Sequence, residues 1–230
     1  MNINPNSLND SQSSLNATSI ILILISLAMP ALSGCGLFLP KPYGTISPGF
    51  APKQIDGKPL FIPKNAPSIL NGFSSGQNKG MYGRAASGHN GIDIFAKTGT
   101  PVIAPANGKV TSSFYGPGYG NTLTIFHGKG PDDFYILTQY HHMKKRLVQK
   151  GDIVVRGQQI GELGRTGVLA GGILHLHFET LGTKDPDKGD YTPFNPHRFW
   201  YDGPGMITCF ENKKKWDDTF FKATYPVVCK

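Results

Sequence analysis

Short apolar runs alternate with turn-forming residues along the chain from about residue 69 onwards. Runs of this kind, bounded by Gly, Pro, Asn or Asp, are typical of β-strands joined by tight turns. The clearest runs are residues 91–95, 100–104, 108–110, 121–126 and 134–137, and ordered β structure is expected to begin near residues 69–73. The longest window with a helical pattern, residues 143–149, covers only about two turns and can equally be a polar connection. The pattern predicts a mainly β protein.

Composition favours the same fold class. Glycine contributes 29 and proline 18 of the 230 residues, and both residue types interrupt helix interiors. A hydrophobic content of 39% in a chain of this length is enough for one packed domain with additional segments. We therefore expect one β domain with extensions at both ends.

The first 34 residues have the composition of an export signal. Residues 20–29 form an apolar run of ten, which is too short to span a bilayer and fits the core of a secretory signal, although a buried core helix is the alternative. Small residues at positions 33 and 34 then precede Cys35, a pattern that resembles the lipobox of bacterial lipoproteins. Residues 1–19 lack the Lys or Arg that usually opens a signal peptide. The resemblance implies that residues 1–34 are removed and that acylated Cys35 tethers the chain to a membrane.

Two further segments flank the expected domain at residues 69–200. Residues 35–68 contain seven prolines and almost no hydrophobic periodicity, and they predict an extended spacer. Residues 201–230 are rich in aromatic and basic side chains and predict an extension that packs on the domain or contacts a partner. Cys209 and Cys229 in this extension can form a disulfide in an exported chain, which would stabilise the extension by roughly 3 kcal/mol, or they can stay as thiols.

The charge balance is basic, with 23 Lys and Arg against 15 Asp and Glu and a formal net charge of +8. Such a charge attracts anionic polymers or surfaces, and nucleic acid, acidic lipid and cell-wall polymer all qualify. The basic runs at residues 144–146 and 213–215 lack the interleaved aromatic residues that stack on bases, so a solvated face is the better interpretation. The sequence therefore predicts no nucleic-acid partner.

Five of the seven histidines and one aspartate fall into three short groups. The groups are His89 with Asp93, His141 with His142, and His175 with His177. A single histidine on a strand is more often a surface or hydrogen-bonded residue than a ligand. On a strand, however, His175, His177 and Glu179 would share one face, because side chains alternate with a period of two. Imidazole and carboxylate are good zinc ligands, and the combination predicts a site with two histidines, one aspartate and an open position for water.

These motifs resemble the LytM/lysostaphin-like zinc endopeptidases, whose pattern is His-x-x-x-Asp, then Tyr-x-His, then His-x-His. The resemblance covers about residues 73–199 and extends well beyond the histidines. It is carried by residues 89–94, 99–102, 104, 108–110, 118–121, 127, 140, 142, 151–152, 157–158, 160–161, 166–167, 175–179 and 195–196. It implies an antiparallel, sandwich-like β domain with loops that form a groove.

The resemblance also implies roles for individual residues. His89, Asp93 and His177 match the ligands of one zinc ion per chain. His142 and His175 match the catalytic histidines. One imidazole would accept a proton from the attacking water and the other would steady the developing oxyanion, and the spacing does not tell which histidine does which task.

Five neighbouring positions complete this set of expectations. His141 is expected on the opposite face of its strand from His142 and without a catalytic role. Glu179 is either a partner that orients a ligand or a solvated carboxylate at a strand end. Met143, Lys144 and Arg165 stand where the family usually has other residues, and they are expected near the rim of the groove, where they could alter substrate preference.

The resemblance implies an endopeptidase that hydrolyses the peptide cross-links of bacterial peptidoglycan, either diaminopimelate-type links or glycine bridges. Two other functions stay open: a non-catalytic relative that activates cell-wall amidases, and a structural wall-binding lipoprotein in which zinc only holds the strands together. The expected partners are peptidoglycan peptides, the membrane through the lipid anchor, and other cell-wall hydrolases. Because Gly36 is not the aspartate associated with inner-membrane retention, the expected location is the cell envelope, on the periplasmic face of an outer membrane if the host has two membranes.

Overall fold

The computed structural model of the chain describes residues 41–47, 54–55, 57–74 and 88–230. The expected export signal, the predicted lipidation site Cys35 and the first part of the expected spacer lie outside the described residues. Within these ranges, no helix is long and apolar enough to cross a membrane.

The described part of the chain forms thirteen β-strands and three short 3₁₀-helices, and it contains no α-helix. The strands are β1 (Gln54–Ile55), β2 (Lys58–Pro59), β3 (Ile69–Asn71), β4 (Gly91–Ile94), β5 (Pro101–Ile103), β6 (Gly108–Gly116), β7 (Gly120–Lys129), β8 (Tyr135–Met143), β9 (Lys145–Arg146), β10 (Ile153–Val154), β11 (Gln159–Glu162), β12 (Leu176–Thr183) and β13 (Thr192–Phe194). The 3₁₀-helices are Pro131–Asp133, Val168–Ala170 and Pro196–Arg198. Every strand pairs with its neighbours in the antiparallel sense. This confirms the prediction of a mainly β, antiparallel domain.

The largest sheet has eight strands and carries the histidine groups. Its strand order is β10-β6-β7-β8-β12-β4-β3, and β13 pairs with β12 beside this path. A three-stranded sheet, β5-β11-β9, and the two-stranded pair β1-β2 complete the described strands. Because β8, β12 and β4 are neighbours, residues from distant parts of the sequence meet in the middle of the large sheet.

The observed strands agree with the predicted runs in position and are longer where hairpin pairing extends them. Residues 108–110 begin β6 and residues 121–126 lie inside β7, and these two strands pair over most of their length. Each strand supplies hydrogen-bond partners for the backbone of the other, so pairing continues through polar and glycine residues that an apolar pattern does not mark. Residues 143–149 form no helix, and β9 within them pairs with β11 instead.

The hydrophobic core lies against the strands that carry the histidines. In β4 and β12, the side chains of Ile92, Ile94, Leu176 and Phe178 are fully buried in the core. Burying a side chain of this size contributes about 1.5–3 kcal/mol. The residues between these apolar positions must point to the other face of the sheet, because side chains alternate along a strand. Core packing thereby fixes the direction in which His177 points.

Both flanking segments pack against the β domain where they are described. Phe61 forms a β-bridge with Met206, and Ala66 is fully buried in the core. This part of the expected spacer is therefore packed and not extended. In the C-terminal extension, Tyr225 and Val227 are fully buried, and Val227 bridges to β5. The extension thus completes the core of the domain.

Two further contacts fasten the C-terminal extension. Cys209 and Cys229 form a disulfide with their Cα atoms 6.0 Å apart. Arg156 is buried and donates a hydrogen bond from Nε to Oδ1 of Asp218 at 3.0 Å, and its guanidinium lies 5.3 Å from the centroid of the Trp216 ring. A buried guanidinium needs such partners because its charge is costly to desolvate.

Candidate metal centre and active site

Three neighbouring strands bring the sequence-predicted site residues together. β12 lies between β4 and β8, and its register places His177 opposite Asp93 on one side and opposite His141 on the other. Directly opposed residues of antiparallel strands have Cβ atoms about 4.5–5.5 Å apart. His89 lies two residues before β4, and His175 directly precedes β12. The three groups that are separate in the sequence therefore form one cluster.

His89, Asp93 and His177 form a compact set of metal-ligating atoms. Nε2 of His89 lies 3.2 Å from Oδ1 of Asp93 and 3.1 Å from Nδ1 of His177. Nδ1 of His177 lies 2.8 Å from Oδ1 of Asp93. Among the described residues, this is the group of His, Cys, Asp and Glu side chains whose ligand atoms lie close enough to share one metal ion.

In His89 and His177, the ring nitrogen that points away from the group makes a hydrogen bond that prepares the other nitrogen to bind a metal ion. Nδ1 of His89 lies 2.7 Å from the carbonyl oxygen of Gly72, which can only accept, so this nitrogen carries the proton and Nε2 keeps its lone pair. Nε2 of His177 lies 2.8 Å from Oε1 of Glu179, so a neutral His177 keeps its lone pair on Nδ1. Two imidazole lone pairs and the Asp93 carboxylate therefore face a common point, and this donor set fits zinc.

Electrostatics within the group favour positive charge at its centre. Burial raises the pKa of Asp93, but its side-chain interactions with His177 and His89 outweigh burial and hold it well below its usual range. Burial lowers the pKa of His177, but its hydrogen bonds to Asp93 and Glu179 outweigh burial and raise it to about 9. A metal ion held by Nδ1 of His177 would take the place of a proton there, because an imidazole binds metal in its neutral form.

The two histidines predicted to be catalytic lie beside this group, and backbone carbonyls hold both of them. Nδ1 of His142 donates to the carbonyl oxygen of Thr166 at 2.9 Å, and Nδ1 of His175 donates to that of Ile173 at 3.0 Å. Their ring centroids are 4.9 Å apart. Burial is the main cause that lowers the pKa of each imidazole. Both rings can therefore be neutral and present an unprotonated Nε2.

His142 has an unusual backbone conformation that directs its side chain into the cluster. Its φ is 64°, in the left-handed region that few non-glycine residues adopt. The pairing of β7 with β8 shifts register here, since Asn121 is opposite Met143 while Leu123 is opposite Tyr140. One additional residue in β8 makes a β-bulge, which re-aims side chains. Strained backbone of this kind is concentrated at functional sites.

The bulge also changes the position of His141. The prediction that His141 points away from His142 is wrong, because strict alternation ends at the bulge. The centroid of the His141 ring lies 5.5 Å from that of His177, and its Nδ1 lies 3.1 Å from Oγ1 of Thr122. Burial lowers the pKa of His141 to about 4. His141 is thus a buried neutral neighbour of the site.

Two glycine-containing loops pack closely beside His142. A Cβ atom on Gly167 would lie 2.3 Å from the backbone nitrogen of Gly120, and a Cβ atom on Gly120 would lie 2.2 Å from Oγ1 of Thr166. The Thr166 hydroxyl donates to the carbonyl of Met143 at 2.7 Å and accepts from the backbone N–H of Asn121 at 2.9 Å. Because Gly120 and Gly167 have no side chains, the two loops can approach closely enough to place the Thr166 carbonyl beside the His142 ring.

Comparison with known proteins agrees with this geometry. Residues 87–190 match the family model described as peptidase family M23. These residues form a peptidase M23 domain. The predicted relationship to lysostaphin-like peptidoglycan endopeptidases is confirmed.

Individual relatives match about half of this chain. Peptidoglycan DD-endopeptidase ShyB of Vibrio cholerae serotype O1 is 39% identical over 118 residues, which cover 51% of this chain and 26% of ShyB. An uncharacterized metalloprotease of Haemophilus influenzae is 38% identical over 95 residues, which cover 41% of this chain and 19% of that protein. The chain therefore spans about a fifth to a quarter of the length of these two relatives. The solved catalytic domain of lysostaphin from Staphylococcus simulans is 29% identical with a TM-score of 0.42, covering 56% of this chain and 87% of that chain.

Glu179 of the M23 domain contacts a predicted ligand and is not a solvated strand end. The side chain of Glu179 is 9% exposed and lies between His177 and His141, with Oε1 4.0 Å from Nε2 of His141. Gly91 on β4 is opposite Glu179, and a Cβ atom there would lie 3.0 Å from Cγ of Glu179. The missing side chain at this position gives the Glu179 carboxylate room to reach the imidazole of His177.

Four contacts at the site could not be found by a search of the sequence for ligand-type side chains. The Gly72 and Ile173 carbonyls bind ring nitrogens through backbone atoms, which sequence patterns do not identify. Tyr119 lies with its ring centroid 4.6 Å from that of His141. Thr166 was part of the family pattern, but its hydrogen bonds to β7 and β8 depend on the folded loop.

Proposed function

We propose that this protein is a zinc-dependent endopeptidase that hydrolyses the peptide cross-links of bacterial peptidoglycan. The observation that carries the proposal is the convergence of His89, Asp93 and His177, whose ligand atoms lie within 4.8 Å of one another, beside the imidazoles of His142 and His175. The M23 domain supports peptide hydrolysis as the reaction class. The name of ShyB supports peptidoglycan as the substrate.

Zinc, when bound by these three residues, supplies Lewis-acid chemistry that makes water acidic near neutral pH and polarises a peptide carbonyl. His142 and His175 each offer an unprotonated Nε2, because Nδ1 donates to a backbone carbonyl. One of them accepts the proton of the attacking water as general base. The other, when it carries a proton taken up from solvent, donates to the oxyanion of the tetrahedral intermediate, and the general base finally passes the proton from water to the leaving amine.

The number of protein ligands supports catalysis over a structural role for zinc. A structural zinc site normally has four protein ligands, whereas a catalytic site keeps about one position for water or substrate. The described residues offer three ligand atoms in one group. A non-catalytic activator of amidases would not need two further imidazoles with oriented ring nitrogens next to that group.

The proposal includes a lipid anchor at Cys35 and a location on the periplasmic face of an outer membrane. The sequence around Cys35 supports the anchor, and Gly36 supports the location. The formal charge of +8 suits work on a largely anionic polymer close to the membrane. Peptidoglycan peptides, the membrane and other cell-wall hydrolases are the partners that this arrangement would bring together.

The test uses the full chain, purified in detergent, and a His177→Ala variant. Both are incubated with peptidoglycan, bound zinc is measured, and the released muropeptides are separated by chromatography. We expect one zinc per chain and loss of cross-linked dimers with the wild type, and neither with the variant. Zinc-loaded wild type that leaves the dimers intact would contradict the endopeptidase and would direct the next assay to amidase activation.

Replacement of Glu179 by glutamine is expected to weaken zinc binding about 10- to 100-fold. The carboxylate accepts the proton of His177 Nε2 and makes the imidazole a better ligand, and an amide does so less strongly. Competition with a chromophoric chelator measures the change in affinity. Glu162→Gln is the matched control, because Glu162 pairs with Lys144 at 3.1 Å and not with a ligand. Equal zinc affinities in the two variants would contradict an orienting role for Glu179.

A further inference from the structure

The loop that joins β11 to β12 contacts both of the histidines that we propose as catalytic. Its residue Thr166 accepts a hydrogen bond from His142, and its residue Ile173 accepts one from His175. We call residues 164–173 the glycine loop. Movement of this loop would turn both imidazoles, so its position matters directly for hydrolysis.

The glycine loop exposes large aliphatic side chains next to the site. Val168 is 81% exposed, Leu169 is 61% exposed and Ile173 is 55% exposed. Ile173 lies two residues before His175, and its backbone carbonyl accepts a hydrogen bond from the His175 ring. Scattered exposed apolar residues are common on protein surfaces, but a group of them beside a polar site indicates a binding surface.

A second loop continues this apolar surface. The backbone N–H groups of Val168 and Leu169 donate to the carbonyls of Pro117 and Gly118 in the β6–β7 turn, and a Cβ atom on Gly118 would lie 3.5 Å from Cδ1 of Leu169. The next residue, Tyr119, is 47% exposed and faces the ring of His141. We define the apolar rim as Tyr119, Val168, Leu169 and Ile173.

We infer that the apolar rim binds the aliphatic side chains of the substrate peptide, so that the enzyme prefers cross-links whose residues carry side chains over bridges made only of glycine. This inference rests on the proposed function and names its substrate class. Apolar surfaces gain free energy by removing other apolar atoms from water. An alanyl or diaminopimelyl side chain supplies such atoms, whereas an oligoglycine chain presents only backbone to the rim.

The rim also explains how binding would serve catalysis. A peptide that packs on Val168 and Leu169 restrains the glycine loop, and the loop carbonyls hold His142 and His175. Binding energy from a part of the substrate that does not react would thus be used to fix the reacting groups. Removing rim side chains should therefore lower kcat for the cross-linked peptide as well as raise its KM.

The experiment measures KM and kcat of the full-length zinc-loaded protein on two substrates, a diaminopimelate-type cross-linked peptide and pentaglycine. The test variant is Val168→Ser with Leu169→Ser. We expect its KM for the cross-linked peptide to rise about tenfold, as is typical for lost contacts with small apolar groups. Ile153→Ser is the control, because Ile153 is 70% exposed on β10, at the opposite edge of the large sheet from β3. It should match the wild type.

A binding measurement keeps the inference separate from the proposed function. Chelator-treated protein is titrated with each fluorescently labelled peptide, and the dissociation constant is read from anisotropy. We expect the rim variant to weaken binding of the cross-linked peptide about tenfold and to leave pentaglycine binding unchanged. Failure of the wild type to hydrolyse either peptide would contradict only the proposed function.

Three results would overturn the inference itself. The first is a rim variant that binds and hydrolyses the cross-linked peptide as the Ile153→Ser control does. The second is a wild-type preference for pentaglycine. The third is a change in sedimentation of the protein on mutation of the rim, which would make the rim a contact between two copies of the chain.

Discussion

Replacing His142 by asparagine is expected to lower kcat for peptide hydrolysis by a factor of about 10² to 10⁴ while leaving bound zinc in place. The imidazole of His142 is oriented by the Thr166 carbonyl and is not one of the three ligands. Asparagine tolerates the left-handed backbone of this position, where φ is 64°. The loss should therefore come from the missing imidazole and not from refolding of the bulge. Zinc content and steady-state kinetics measure the two effects separately.

His141→Asn is the matched control for this substitution. His141 is the adjacent residue and is also buried, with Nδ1 3.1 Å from Oγ1 of Thr122. We expect this variant to keep kcat within about tenfold of the wild type, which is below the range for general acid–base catalysis. A larger loss in His141→Asn than in His142→Asn would reverse the assignment and make His141 the catalytic partner. A thermal melt of both variants excludes unfolding as the cause.

The limits of prediction from sequence are clearest at these two histidines. Alternation placed His175, His177 and Glu179 on one side of β12 because nothing interrupts that strand near its start. The same rule was wrong at His141, because β8 contains a bulge there. The position of a bulge depends on how β8 pairs with β7, and the sequence of β8 alone does not determine that register. Patterns of period two predict faces only where the strand stays regular.

The sequence motifs allowed the three metal ligands to be predicted for a different reason. His89 and Asp93 are four residues apart at one strand, and His177 lies on the neighbouring strand. The spacing of these motifs in the sequence therefore corresponds to one pairing register between β4 and β12. The roles of these residues stay a prediction until metal is measured. The carbonyl of Gly72, which orients His89, had no chemical signature in the sequence.

The packing of the two flanking segments could not be predicted from the sequence. The segment around Phe61 is rich in proline, which indicates an extended chain, and the contact of Phe61 with Met206 joins residues that no local pattern connects. The aromatic character of the C-terminal extension allowed either packing or a partner, and its buried Tyr225 and Val227 belong to the core. Long-range packing of irregular segments depends on the folded surface that they meet.

Replacing Gly167 by alanine is expected to destabilise the domain by about 2–5 kcal/mol, through overpacking and backbone strain together, and to reduce hydrolysis about 100-fold. A Cβ atom on Gly167 would lie 2.3 Å from the nitrogen of Gly120 and 2.5 Å from the carbonyl oxygen of Gly118. The two loops must move apart to relieve this contact. Thr166 would move with its neighbour, and a shift of about 1 Å in the carbonyl that holds His142 would misplace the imidazole.

Gly171→Ala measures the effect of a positive φ without a close contact. Gly171 has φ 59° and ψ 22°, in the left-handed region, whereas Gly167 has φ 86° and ψ 149°, and a Cβ atom on Gly171 would meet nothing within 4 Å. We expect it to cost only the left-handed strain of about 1–2 kcal/mol and to keep its kcat. Urea unfolding and kinetics on the cross-linked peptide compare the variants. Equal losses of stability and of kcat would mean that strain alone explains the glycines, and that the contact between the two loops does not position His142.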